Sequence, residues 1–150
     1  GMPDLTGLSI SDVATASTIT LAADTISVVD YTGAAACAAT LPAATAGTIV
    51  VYAQAKDTTG GTATLSFDCA GSDVYATGSV IESRGSDEVT FDTSAAGETL
   101  LTFTPANATT NLLTTGGQIA FICYEDGTYH IATKLAAETT QVKGAFVFAS

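Results

Sequence analysis

Between Thr40 and Tyr52 the chain reads T-L-P-A-A-T-A-G-T-I-V-V-Y, a proline-broken approach, then a glycine, then a short β-branched run. This segment limits the fold more than any other. Proline has no amide hydrogen to give to a ladder, so Pro42 belongs at the end of a paired strand or outside one. Ile49, Val50 and Val51 are stiff at χ1 and suit a pleated surface, and with Tyr52 they form a run too short for a helix. Gly47 precedes the run and Lys56-Asp57-Thr58-Thr59-Gly60-Gly61 follows it, so a buried strand over 48–55 entering a turn is predicted. The same order of glycine, polar step and apolar strand recurs at Gly97 with residues 98–103 and at Gly117 with residues 118–122. The unequal intervals do not make a solenoid repeat, and recurrent hairpin starts in one sandwich or barrel are the simpler reading.

Further strands are expected over 18–21, 25–31, 37–41, 62–67, 89–91, 98–103, 118–124 and 128–133, from their alternation and their turn-forming flanks. Two hairpins are predicted: 48–55 with 62–67 through Gly60-Gly61, and 118–124 with 128–133 through Glu125-Asp126-Gly127. Residues 1–17, with Leu5, Leu8, Ile10 and Val13 at irregular intervals, read as an arm carrying a short strand. Residues 68–87 read as surface loops around Val80-Ile81, and 109–115 as a loop around Leu112-Leu113. The apolar end Ala145-Phe146-Val147-Phe148-Ala149 should complete the sheet or pack on a neighbouring subunit. The expectation is therefore an all-β single domain over 18–150 behind the arm: a β-sandwich, jelly-roll-like fold or small barrel of about nine to eleven short strands.

Length permits one core, since a chain of 150 residues buries roughly two thirds of its extended surface. Apolar residues make up 47%, much of it alanine, and abundant threonine with 14 glycines favours strands and turns. Fifteen acidic residues face four basic ones, Lys56, Arg84, Lys134 and Lys143. Phosphate neutralisation needs more cations than that, so a nucleic-acid partner is excluded and attachment to an anionic membrane surface is disfavoured. The scattered acids read as a solvated, solubilising surface. No apolar run is long enough to cross a bilayer, and after Met2 no basic segment leads into an apolar one, so synthesis in a cytoplasm without a signal peptide is expected.

Little in the chain can do chemistry. His130 is the one histidine, and its place inside a predicted strand beside Tyr129 marks it as structural. There is no G-x-S-x-G nucleophile elbow. Cys37, Cys69 and Cys123 lack zinc-knuckle or redox spacing, and they read as buried thiols of a reducing compartment. Paired carboxylates for glycoside hydrolysis are available on paper at Asp68 with Asp73, at Asp87 and Glu88 with Asp92, and at Glu125 with Asp126, and oxygen ligands for calcium in Asp68 to Asp73 and Asp87 to Asp92. None has a recognisable ligand spacing. Tryptophan is absent, so Tyr52, Tyr75, Tyr124 and Tyr129 would have to provide any sugar-stacking surface. Gly60-Gly61 and Gly116-Gly117 are explained by turns. No catalytic, cofactor-binding or metal-ligating residue is assigned, and an enzyme is not expected.

Thr40-Leu41-Pro42 with Gly47-Thr48-Ile49-Val50-Val51, followed by the late run from Gly116-Gly117-Gln118 through Asp126-Gly127-Thr128-Tyr129-His130-Ile131, resembles the β-rich structural modules of tailed bacteriophages. Head-fibre, tail-fibre and capsid-decoration modules share a T-L-P step, a glycine-led strand, and a late apolar strand ending in D-G-x and an aromatic. Tyr129 stands where they commonly have tryptophan, and the likeness spans roughly residues 26–131. The resemblance implies a non-enzymatic virion component, made in the host cytoplasm, often a trimer, with other virion proteins as partners and a host-surface glycan as a further partner. A cell-surface or carbohydrate-binding adhesion module is the alternative, and residues 68–87 are the candidate receptor-contact loop.

Overall fold

The computed structural model describes residues 7–85, 88–106, 113–135 and 144–150. These contain thirteen strands and no helix: β1 (Ser9–Val13), β2 (Thr18–Thr20), β3 (Thr25–Val29), β4 (Cys37–Thr40), β5 (Ile49–Gln54), β6 (Leu65–Asp68), β7 (Val74–Tyr75), β8 (Val80–Arg84), β9 (Val89–Thr93), β10 (Leu100–Thr104), β11 (Gln118–Glu125), β12 (Thr128–Lys134) and β13 (Ala145–Ala149). The chain is all-β and builds a sandwich. One sheet has the order β1-β3-β5-β11-β12-β7, the other β13-β10-β6-β4-β2, and β8 with β9 forms a separate ribbon.

The core lies between the two larger sheets. In the five-stranded sheet the alternation Leu65-Ser66-Phe67-Asp68 and Leu101-Thr102-Phe103 sends every second side chain inward. Phe67 meets Tyr52 and Phe121 of the opposite sheet at ring-centroid distances of 5.0 and 5.1 Å, and Tyr75 meets Phe148 at 5.4 Å. Ring pairs of this geometry add about 0.5–1.5 kcal/mol beyond the area they bury. Four tyrosines are fully buried, and each hydroxyl has a partner: Tyr31 donates to the Ala63 carbonyl, Tyr52 to Gln54 Oε1 at 2.5 Å, Tyr75 to the Phe67 carbonyl at 2.8 Å and Tyr129 to the Pro42 carbonyl at 2.8 Å. Buried Gln54 in turn donates to the carbonyls of Tyr31 and Lys56. A core short of large aliphatics is thus filled by rings whose polar ends are satisfied at its margins.

The chain path differs from the expected succession of hairpins. β1 to β6 alternate between the sheets, so β1, β3 and β5 pair in parallel in one layer, and β2, β4 and β6 in the other. A parallel pair needs a crossover, and here the crossover is the intervening strand of the opposite sheet. The predicted 48–55/62–67 hairpin is therefore corrected, because β5 and β6 lie in different sheets. Gly60-Gly61 is not a hairpin turn but a close backbone approach: a Cβ on Gly61 would lie 2.6 Å from the Gly33 carbonyl oxygen, and the Gly60 amide donates to Thr32. The β11–β12 hairpin forms as expected.

Residues 68–87, read as loops, contain β7 and β8 as far as the described residues extend. β7 is two residues long and too short to show a period, while β8 turns only Ile81 and Ser83 inward. Within residues 1–17, Ser9–Val13 pairs with β3 as the edge of the six-stranded sheet. The apolar C-terminal segment is β13 and pairs antiparallel with β10. Its outer edge is covered, since Ser83 Oγ accepts the Phe146 amide at 2.9 Å and Asp92 Oδ2 accepts the Phe148 amide at 2.7 Å. The ribbon thus satisfies an edge that would otherwise present bare amides.

Candidate functional site

Several of the groups with chemical potential have a structural occupation. His130 lies on the outward face of β12, with its ring 4.7 Å from that of Tyr124 in an edge-on contact. All three thiols are free and buried. Burial pushes Cys37 and Cys123 above the ordinary thiol range and Cys69 up to about 12, which keeps them protonated and poor nucleophiles.

The carboxylates staple the loops. Each of the three groups named from sequence supplies one acceptor for a backbone amide: Asp73 for Ala44 at 2.7 Å, Asp92 for Phe148 on β13, and Asp126 for Ala46 at 2.9 Å. Asp87 lies outside the described residues. Asp24, Asp57 and Glu98 likewise accept the amides of Ile49, Thr115 and Ala95. Asp30 receives both the amide and the hydroxyl of Thr15, which hold its carboxyl below the usual carboxylate value. The acids expected to form a solvated surface therefore do more. Short crossings between sheets leave amides without ladder partners, and a nearby carboxylate is the strongest acceptor available for them. Among the described residues no three His, Cys, Asp or Glu side chains group as a metal site.

The two motifs that carry the phage resemblance meet in space. Besides the Tyr129–Pro42 and Asp126–Ala46 bonds, the Gly127 amide donates to the Ala44 carbonyl and the Gly47 amide to the Cys123 carbonyl, both at 2.8 Å. The T-L-P step and the D-G-x-Y turn are two sides of one clamp. Gly47, with φ 93°, sits in the left-handed region that lets the chain turn there into β5.

The outer face of the six-stranded sheet is apolar as well. Register places Ile10, Ile26, Val51, Ala120 and Ala132 in one row across β1, β3, β5, β11 and β12. The row above it holds Ile49 and Ile122, beside His130. Ile10 at the β1 edge is 74% exposed and Tyr124 is 69% exposed, whereas Val51 and Ala120 at the centre of the face are fully buried, although no described strand lies over it. The comparable row on the outside of the other sheet is Thr18, Ala38, Ser66, Thr102 and Val147, mostly small and polar. A sandwich needs one apolar face per sheet, and this molecule has a third.

The sequence carries a signal for that face. Ile49–Ala53 and Ile119–Cys123 are apolar at both parities, the pattern of strands covered on both sides, whereas β2, β6 and β10 alternate. A smaller apolar patch, Val80, Val89 and Phe91, stands on the ribbon beside the exposed Arg84–Glu82 ion pair. Next to it Glu82, Arg84, Thr133, Lys134 and Leu135 line a cleft of about 190 Å³. Of the four tyrosines considered for sugar stacking, Tyr52, Tyr75 and Tyr129 are core residues and Tyr124 alone faces outward. In comparisons with protein-family models, curated proteins and solved structures, no match was found.

Proposed function

We propose that this protein is a non-enzymatic structural component of a tailed-bacteriophage virion, a head-fibre, tail-fibre or capsid-decoration subunit made in the host cytoplasm. It works by association, through the β1 edge of its six-stranded sheet. The observation that carries the assembly reading is the large apolar side chain left open at that edge, Ile10, 74% exposed and in register with Ile26. The bacteriophage setting rests on the T-L-P and D-G-x-Y motifs, and their joining by the Tyr129–Pro42 bond supports reading them as one structural unit. Further copies of the chain and other virion proteins are the partners in this reading. The loss of Tyr52, Tyr75 and Tyr129 to the core weakens the carbohydrate-binding alternative.

Mass spectrometry of purified particles released from cells that carry and express the gene tests the proposal. Recovery of the chain at a fixed stoichiometry to the shell or tail proteins is expected. Its presence in the lysate together with its absence from intact particles would overturn the virion role. Capture on a glycan array that Tyr124→Ala abolishes would instead move the assignment to the adhesion module.

A further inference from the structure

Among the described residues the two larger sheets end in β1, β7, β13 and β2, and of these edges β1 alone is both long and open. β7 has two residues and β2 three, while the β8–β9 ribbon covers β13. β1 has five, and Ser9 to Asp12 are exposed. Its sequence, Ser-Ile-Ser-Asp-Val, holds no proline and no lysine, and its register with β3 runs without a bulge. Apart from Asp12, the devices that blunt an edge are missing. The Ser9 amide donates to the Asp24 carbonyl at 3.2 Å. Backbone groups alternate in direction along a strand, so Ser9, Ser11 and Val13 bond inward to β3, whereas the amides and carbonyls of Leu8, Ile10 and Asp12 point away from the sheet.

We propose that this edge pairs with the β1 edge of a second copy of the chain, antiparallel about a two-fold axis at Ile10. The inference rests on the assembly reading above and gives it a partner and a register. The outward-pointing groups can meet their counterparts with the axis at Asp12, at Ser11 or at Ile10, and charge separates these registers. An axis at Asp12 sets two carboxylates directly opposite, about 5 Å apart. One at Ser11 leaves them about 8 Å apart and puts Ile10 beside a carboxylate. With the axis at Ile10 each Asp12 lies two residues beyond it, and the carboxylates are about 14 Å apart. That exceeds the Debye length of about 8 Å at physiological salt, so their repulsion is screened. Ile10 then stands across from its own counterpart and exchanges both backbone bonds with it, as Leu8 does with Asp12. The register that covers the exposed isoleucine with an equal one is thus also the register that holds the charges apart, and it is a second β1 that supplies both. Such an interface is isologous, joins two six-stranded sheets into one, and closes as a pair. The trimer implied by the phage resemblance would not arise from this contact.

A contact one strand long is small for a specific interface, so the pair should form reversibly with concentration. Sedimentation velocity over a concentration series on the intact chain should show a species of twice 15.0 kDa. Ile10→Lys sets like charges across the axis and should raise its dissociation constant by about tenfold or more. Ile10 is 74% exposed, and circular dichroism checks that the variant folds. Cysteine cross-linking reads the register. The native thiols are buried, and Cα atoms of a hydrogen-bonded antiparallel pair lie about 5.5 Å apart, within disulfide reach. Under a mild copper oxidant Ile10→Cys should therefore link two copies at least about tenfold faster than Ser11→Cys, Asp12→Cys or the exposed control Tyr124→Cys, because Cα atoms more than about 7 Å apart cannot be bridged without backbone movement. A monomer at every concentration, a trimer, a dimer indifferent to Ile10→Lys, or cross-linking no faster at Ile10 than at the other positions would each overturn the paired edge. None of these results bears on whether the chain is found in particles, so this inference and the virion role fail separately.

Discussion

Tyr129 shows how a residue can be legible in kind and not in role. The sequence marked it as the aromatic after a D-G turn, and its position inside the core follows from strand alternation. That its hydroxyl reaches the Pro42 carbonyl, 87 residues away, is a property of the packed molecule. Tyr129→Phe should lower stability by about 1–2 kcal/mol, because the ring still fits while a carbonyl loses its partner, and urea denaturation measures it. Gly61 was read as a turn residue from its doublet, yet its constraint comes from Gly33 in another loop. Gly61→Ala must displace the Gly33 carbonyl, since the new Cβ would lie 2.6 Å from it. A loss of at least about 2 kcal/mol, or about 4–8 °C in Tm for a domain of this size, is expected by calorimetry. Asp30 makes the pH dependence explicit. Its folded pKa is depressed by the Thr15 bonds, so its contribution is fully present above the unfolded carboxylate value of about 3.9 and is lost as pH falls through the lower folded value. Denaturation midpoints of wild type and Asp30→Ala should therefore differ at pH 7 and 5 and converge as the pH drops well below 4.

At the scale of elements, strands with a clear period were readable and their partners were not. The β11–β12 hairpin was predicted because Glu125-Asp126-Gly127 is a local turn signal between two apolar runs, and local signals survive in one dimension. β5 and β6 were also separated by a glycine doublet, but that doublet serves a contact with Thr32-Gly33, and the chain crosses between sheets instead of folding back. β7 and β8 are not legible in the sequence, because a two-residue strand, and a strand turning inward only at Ile81 and Ser83, leave no periodic trace. The β8–β9 ribbon nevertheless has a definite task at the β13 edge. The double variant Ser83→Ala/Asp92→Ala should cost about 2–4 kcal/mol, because two amides of an apolar strand lose their acceptors together. It should also aggregate on mild heating, as light scattering would show, since β13 would then present an open edge rich in phenylalanine.

For the whole molecule, closure of the sandwich governs access to the thiols. Cys37, Cys69 and Cys123 are 1%, 7% and 1% exposed, so a disulfide reagent should find all three only in denaturant and react negligibly in native buffer. The candidate site was half legible. Ile49–Ala53 and Ile119–Cys123 announce strands with two apolar faces, which any sequence reading can find by counting both parities. Where the second face lies, and that β1 and β3 extend it with Ile10 and Ile26, depends on parallel pairings between residues 16 to 25 positions apart. By itself the sequence determined the all-β class, the strand-rich composition and the shortage of cations, because these follow from side-chain chemistry and short-range periodicity. Only the tertiary structure decided the alternation of β1 to β6 between sheets, the use of carboxylates as loop staples and the presence of a third apolar face. Each of these depends on which distant backbone groups are left without ladder partners, or which side chains fall on a sheet's outer side, once the sheets have closed.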